Sequence, residues 1–514
     1  MHPGSLSRSV GHFCLCLAFL LLSATASLGD SGTWLANPMD NNWNNPANWS
    51  SGTVPGPFDT ASFAGSTVTN IVISSGGLVE EFIFQEAAAA YTITALPGVN
   101  FSLRIGVENE SPVQENFFMA ADGNASGGFT FEDGGFIAGP VTFTQEGANV
   151  AGGSVGYVAF QGVFSLTGPG NATFHNLASS VSGGAGGQTN FYYNASSAED
   201  ATIINDGATV SGATGGAIYF IQNEPSAGNA TFIANGGSNG GGGGSIHFDY
   251  HSRGDTVRLE LFGNGYMDMS THGGPSLSVG SIEGDGQIYL GKATLIVGTN
   301  SLSTTFSGVL HPGGPAGDSG SGTLSKTGIG TLSLTGANLY TNGTTVTQGS
   351  LIVSNKTGSG TGTGPVNVNA GTLGGSGIIA GAVTIGTGSG TGAFLTPGIG
   401  TNKQVTLTIQ SALTFNSNAT YTYTFKGSKS RVQTDLVLAN GVTITGGAIA
   451  ISSSSQNRLR RGTVLTVISN TSANPISGTF SNLPEGAIVT VKGNNLQASY
   501  EGGDGNDLTL TVVP

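Results

Sequence analysis

Residues 323–353 read Thr323-Leu-Ser-Lys-Thr-Gly-Ile-Gly-Thr-Leu-Ser-Leu-Thr-Gly-Ala-Asn-Leu-Tyr-Thr-Asn-Gly-Thr-Thr-Val-Thr-Gln-Gly-Ser-Leu-Ile-Val353. Small polar residues alternate with Leu, Ile and Val, and glycine interrupts the pattern every few positions. Lys326 is the only charge. Alternation with a period of two marks strands with one buried face. Short strands that end in glycine, one after another, predict successive coils of a parallel β-solenoid.

The rest of the chain agrees with this stretch. It has 514 residues, 87 of them Gly, and only 9% are charged. The glycine content is far above the roughly 7% of average proteins, and the charge is far below the usual quarter. Low charge argues against ordinary disorder, which needs high net charge and few apolar residues. A solenoid grows by stacking coils rather than by enlarging one core, so this length does not demand several domains. The net charge is −14, with only 15 Lys and Arg. No basic stripe is available for nucleic acid or for an anionic membrane surface.

The N-terminal apolar run Phe13 to Leu22 follows Arg8 and His12 and ends in Ala24-Thr25-Ala26. It predicts a signal peptide over residues 1–26, being too short to span a bilayer. Both cysteines, Cys14 and Cys16, lie inside it. A chain cleaved after Ala26 would hold no disulfide and would depend on stacked hydrogen bonds. The expected location is secreted or at the cell surface.

Four further regions follow. Residues 27–115 open with Trp34, Trp43 and Trp49, all the tryptophans of the chain. They predict an aromatic N-terminal cap, because an open solenoid end exposes core and unpaired backbone. The other reading of these rings is a glycan-stacking platform. Residues 116–320 carry a repeat: Asn171-Ala-Thr-Phe174, Asp200-Ala-Thr-Ile203 and Asn229-Ala-Thr-Phe232 recur 29 residues apart. Gly216–Phe220 and Gly244–Phe248 repeat the pattern Gly-x-Ile-x-Phe 28 residues apart. Periods of 20–50 residues are the signature of solenoids. Residues 321–425 shorten the period, with Leu332 and Leu351 19 residues apart. This predicts narrow, three-sided coils that shorten towards the C-terminus. Residues 426–514 are more charged and predict a C-terminal β cap. The expected whole is an all-β, right-handed parallel β-helix, a rod on the order of 75–110 Å long at about 4.8 Å per coil.

The segment Gly322 to Ile385 resembles the autotransporter-associated β-strand repeat. Leu324, Lys326, Gly328, Gly330, Thr331, Leu332, Leu334, Gly336, Asn338, Tyr340, Gly343, Thr344, Val346, Gly349 and Leu351 stand at its motif positions. The start, Trp43-Asn-x-x-x-Asn48-Trp49 followed by Val54-Pro55, Asp59, Ala61 and Phe63, is similar to the usual start of such proteins. Tyr500-Glu-Gly-Gly-Asp-Gly-Asn-Asp507 is similar to their usual end. The resemblance implies a secreted, passenger-type β-helix with an adhesive or structural role at the surface. Its partners would be glycans, extracellular matrix or neighbouring cells. Full autotransporters continue into a translocator barrel, and this sequence stops soon after Asp507. The expectation is therefore a stand-alone secreted protein or one with a separate export partner.

Candidate chemistry is sparse. Asp504 and Asp507, within Gly502–Asp507, sit in a pattern similar to a calcium-binding nonapeptide, as one copy rather than the stacked copies such sites use. Glu283 and Asp285 alternate onto one face of a strand and are the candidate carboxylate pair for hydrolysis. His247, Asp249 and His251 form an alternating row, with Asp255 and His272 near, a candidate metal site. Arg253, Asp255 and Arg258 are the thin basis for a lyase or hydrolase acting on extracellular polysaccharides. No serine elbow with a plausible His and Asp stands out. The preferred expectation is a non-enzymatic protein without a cofactor.

Overall fold

The computed structural model describes residues 31–132, 135–162, 171–193, 196–317, 319–399, 403–427 and 431–514. The expected signal peptide, with Cys14 and Cys16, lies outside the described residues.

The alternation becomes burial directly. In Thr331–Leu334, Leu332 and Leu334 are buried while Thr331 and Ser333 face outwards. The strand pairs in parallel with Ser350–Val353, placing Leu332 against Leu351 and Leu334 against Val353. A parallel pair needs a long crossover, and in this chain one coil of the solenoid supplies it. The described residues hold no α-helix, only the 3-10 turn Pro46–Asn48. None of their helices is long and apolar enough to cross a membrane.

Two sheets run along the first half. The first begins at Gly32–Thr33 and ends at Val309–His311. The second runs from Asn70–Ile73 to Ala448–Ser453. No pairing among the described residues returns its last strand to its first, so it is an open ladder. A third sheet joins at Ser276–Val279 and continues to Val442–Ile444. The fourth starts at Ile378–Ile379 and ends in the antiparallel strands Val464–Asn470, Asp507–Val513, Asn494–Gly502 and Ile488–Val491. The chain is thus an all-β parallel β-helix. Sixteen parallel strands of the second sheet, at about 4.8 Å per step, give a rod of about 70 Å.

The 29-residue repeat sets the register. Thr173, Thr202 and Thr231 are aligned, as are Phe174, Ile203 and Phe232. Spacing then falls to 19 residues between Leu332 and Leu351. It rises again to 26 between Leu395 and Tyr421 and to 28 between Tyr421 and Ile449. The expected monotonic shortening is corrected at this point. The nine-residue strand Ala419–Gly427 and the strand Val432–Thr434 folded back on it lengthen the last coils.

Two side-chain ladders fill the interior. Phe160, Phe191, Phe220 and Phe248 stack with successive ring centroids 4.8, 4.9 and 5.0 Å apart. At a corner, Gln145, Asn176 and Asn205 align in the buried interior. Asn176 Nδ2 donates to Asn205 Oδ1 (2.7 Å) and Ala217 O (3.0 Å). The recurring glycines 187, 216 and 244 face this column. A Cβ on Gly216 would lie 2.1 Å from Asn176 O, so no side chain fits there.

Candidate functional site

The N-terminal tryptophans are core. Trp34, Trp43 and Trp49 are 1%, 1% and 2% exposed. Trp49 meets Trp34 and Trp43 edge-on at 5.2 and 4.6 Å, and Trp43 continues onto Phe82 and Phe101. Their indole donors are used internally, Trp34 Nε1 to Val68 O and Trp49 Nε1 to Trp43 O. Buried Asn48 accepts from the N–H groups of Met39 and Asp40 and holds the entry loop over the rings. A stacking platform needs a free ring face, and these three have none to offer; that reading is corrected.

The C-terminal aspartates are divided. Asp507 opens a strand and is 9% exposed, and its Oδ1 accepts from Asn470 N–H at 2.8 Å. Asp504 lies in the exposed turn before it. No group of three or more acidic, His or Cys residues suited to a metal occurs among the described residues.

Glu283 and Asp285 do not share a strand face. Gly284 has φ +97°, which ends the alternation. Glu283 accepts from Arg258 Nε, and Arg258 also pairs with Glu260 at 3.1 Å. Asp285 Oδ1 accepts from Gly263 N–H at 2.8 Å. Glu260 and Glu283 are aligned on neighbouring strands, and Arg258 pairs with both.

The histidine row is also broken. Tyr250 has φ +52°, and this left-handed turn separates His247 from His251. His247 stays on the outer face of the first sheet, in a column with Tyr219, Asp268, Tyr289 and His311. Tyr219 and His247 stack at 4.5 Å, and Tyr289 and His311 at 4.7 Å. Tyr266 stands perpendicular between them, 5.7 Å from His247 and 5.8 Å from Tyr289. Tyr219, His247 and Tyr266 line a groove of 220 Å³ beside Gly215 and Gly243. Burial holds His247 below the usual imidazole range, and burial raises Tyr219 and Tyr266. His247 Nε2 lies 3.0 Å from Ser245 Oγ, but its Nδ1 is 3.8 Å from Asp268 Oδ2. That second separation exceeds a hydrogen bond, and Asp268 Oδ1 instead accepts from Ser270 N–H. The three do not form the linked nucleophile, base and orienting group of covalent catalysis. This outward stripe was missed from sequence, because its members lie a coil apart and align only in register.

His251 and His272 come together at the corner between the first and second sheets. With Glu224, Ser252, Arg253 and Asp255 they line a cavity of 330 Å³. His272 Nε2 lies 2.9 Å from Ser252 O, and its Nδ1 accepts from Gly274 N–H at 3.2 Å. Asp255 accepts from Ser226 Oγ. Asp249 points elsewhere and accepts from Thr271 Oγ1.

No family model matches the chain. It is 37% identical over 107 residues to the adhesin BmaC autotransporter of Brucella suis biovar 1 (strain 1330). The match covers 20% of this chain and 3% of that much longer protein. A fifth of this parallel β-helix is therefore similar to part of an autotransporter adhesin.

Proposed function

We propose that the chain is a non-enzymatic, adhesin-like β-helix acting outside the cell or at its surface, where it binds glycans, matrix or neighbouring cells. The observation that carries this reading is the partial similarity to an autotransporter adhesin, found in a chain built on long ladders of parallel strands. A rod of stacked coils displays similar outer positions again and again, so weak contacts add through multivalency. The non-enzymatic part is supported by Arg258, whose guanidinium is paired with Glu260 and Glu283.

Binding of the purified chain to cells, matrix proteins and a polysaccharide panel tests the proposal. Retention on at least one of these surfaces is expected. Failure across the panel would sink the adhesive role. Polysaccharide cleavage that disappears in Arg258→Ala would overturn the non-enzymatic reading.

A further inference from the structure

We propose that the corner cavity beside Arg253 is a subsite for one acidic sugar unit, a uronate or sialate, whose carboxylate pairs with the guanidinium. This rests on the adhesive reading above and names the ligand chemistry of one of its sites.

One observation carries it, and two describe its setting. Arg253 is exposed at the cavity, and the ion pairs among the described residues do not include it; they join His175 to Asp206, His247 to Asp268, and Arg258 to Glu260 and Glu283. Ser252 borders the same cavity, is 2% exposed, and its hydroxyl has no hydrogen-bond partner. Its oxygen is itself shielded, so Ser252 bounds the cavity without presenting a free donor to a ligand. Glu224 and Asp255, which line the cavity, hold left-handed φ values of +58° and +45°.

The charge pattern selects the ligand. A guanidinium matches a carboxylate bidentately. Glu224 and Asp255 also line the cavity; they are free to take sugar hydroxyl donors at their remaining lone pairs, and their charge disfavours a multiply charged phosphate more than a single carboxylate. A neutral sugar would leave Arg253 unpaired. A unit bearing one carboxylate and neighbouring hydroxyls satisfies both signs. The 330 Å³ volume sits at the lower end of the roughly 300–1,000 Å³ of small-molecule sites, room for one such unit with its chain continuing outside.

The test uses the full chain in calorimetric titrations with oligogalacturonate, a sialylated oligosaccharide and a neutral cello-oligosaccharide. Binding of at least one acidic probe is expected, weakening with added salt. Arg253→Ala should lower that affinity at least tenfold, and Arg253→Lys, which keeps charge but loses the fork, should fall between. Circular dichroism of each variant checks the fold, and His251→Ala serves as a second probe of the same wall. Unchanged acidic-sugar affinity in Arg253→Ala would overturn the proposal. Retention on cells or neutral glycans without acidic-sugar binding would overturn it too, while leaving the adhesive reading standing. Failure of every surface would remove both.

Discussion

Glu115 is fully buried in the N-terminal coils, where its Oε2 accepts from Tyr91 N–H at 2.7 Å and its Oε1 from Ser111 Oγ at 3.3 Å. Burial pushes its carboxyl up to about 7, against the two hydrogen bonds. The folded state therefore holds this proton between about pH 4.5 and 7, where the unfolded chain has lost it. Its stabilising contribution is complete below about 4.5 and is lost as pH rises through 7. Glu115→Gln keeps an acceptor for Tyr91 and removes the charge. It should raise stability at pH 8 by about 1–3 kcal/mol, with no gain at pH 4, read from the denaturant midpoint. Lys326 has the opposite pH slope. It is 1% exposed, and its Nζ donates to Gly328 O at 2.8 Å and Gln348 O at 3.4 Å. Burial lowers it to about 8, so the folded chain releases this proton before the unfolded chain does. Stability relative to Lys326→Met should rise between about pH 8 and 10.5; parallel pH profiles for the two proteins would refute this. At this scale the sequence was only partly readable. Lys326 stood out as a lone charge in an alternating strand, while His251 and His272 were grouped as candidate metal ligands and Arg253 was grouped separately with Asp255 and Arg258. The unpaired Ser252 hydroxyl did not, because its isolation depends on how one coil lies on the next.

A single coil is held by what sits directly before and after it. Phe191 lies between Phe160 and Phe220, nearly parallel to both. Truncation to alanine removes both ring contacts and leaves a cavity that stacked backbones cannot close, costing about 3–5 kcal/mol. Because each coil touches only its neighbours, Phe191→Ala should raise hydrogen exchange in the strands around residues 157–160 and 217–221. Exchange in Val464–Asn470 should stay unchanged, and a uniform rise along the chain would contradict this. The element scale is also where the sequence read best. Thr-Phe and Ile-x-Phe spacings of 29 and 28 residues placed coil on coil, since aromatic rings stack only in register. The third sheet from Ser276 onwards was less visible. Its strands have three or four residues and the same alternation as those of the second sheet, so pattern alone does not say which face a strand joins. The tryptophan motif was legible as a cap or as a platform, and burial removes the platform.

Along the whole molecule, composition changes from end to end, and this should separate the unfolding of its parts. The first coils pack Trp and Phe rings into a continuous aromatic column from Trp34 to Phe248. The coils around Thr331–Ile385 bury Leu, Val and Ile from shorter strands joined by glycine-rich turns. Aromatic side chains bury more area each, and glycine loses more entropy on folding than any other residue. The middle coils are therefore the weaker ones. All three tryptophans sit in the core of the first coils, so their fluorescence reports that end, whereas far-ultraviolet circular dichroism reports every strand. In a quasi-one-dimensional protein these signals need not coincide. With increasing urea, the circular dichroism signal should begin to fall at a lower concentration than the one that shifts tryptophan emission. Truncating Trp43 to alanine, which opens the cap from its own end, should bring the emission change forward and narrow the gap. Superimposable transitions in the unaltered protein would mean that the rod unfolds as one unit, and that the aromatic column does not stabilise its own end independently of the glycine-rich coils.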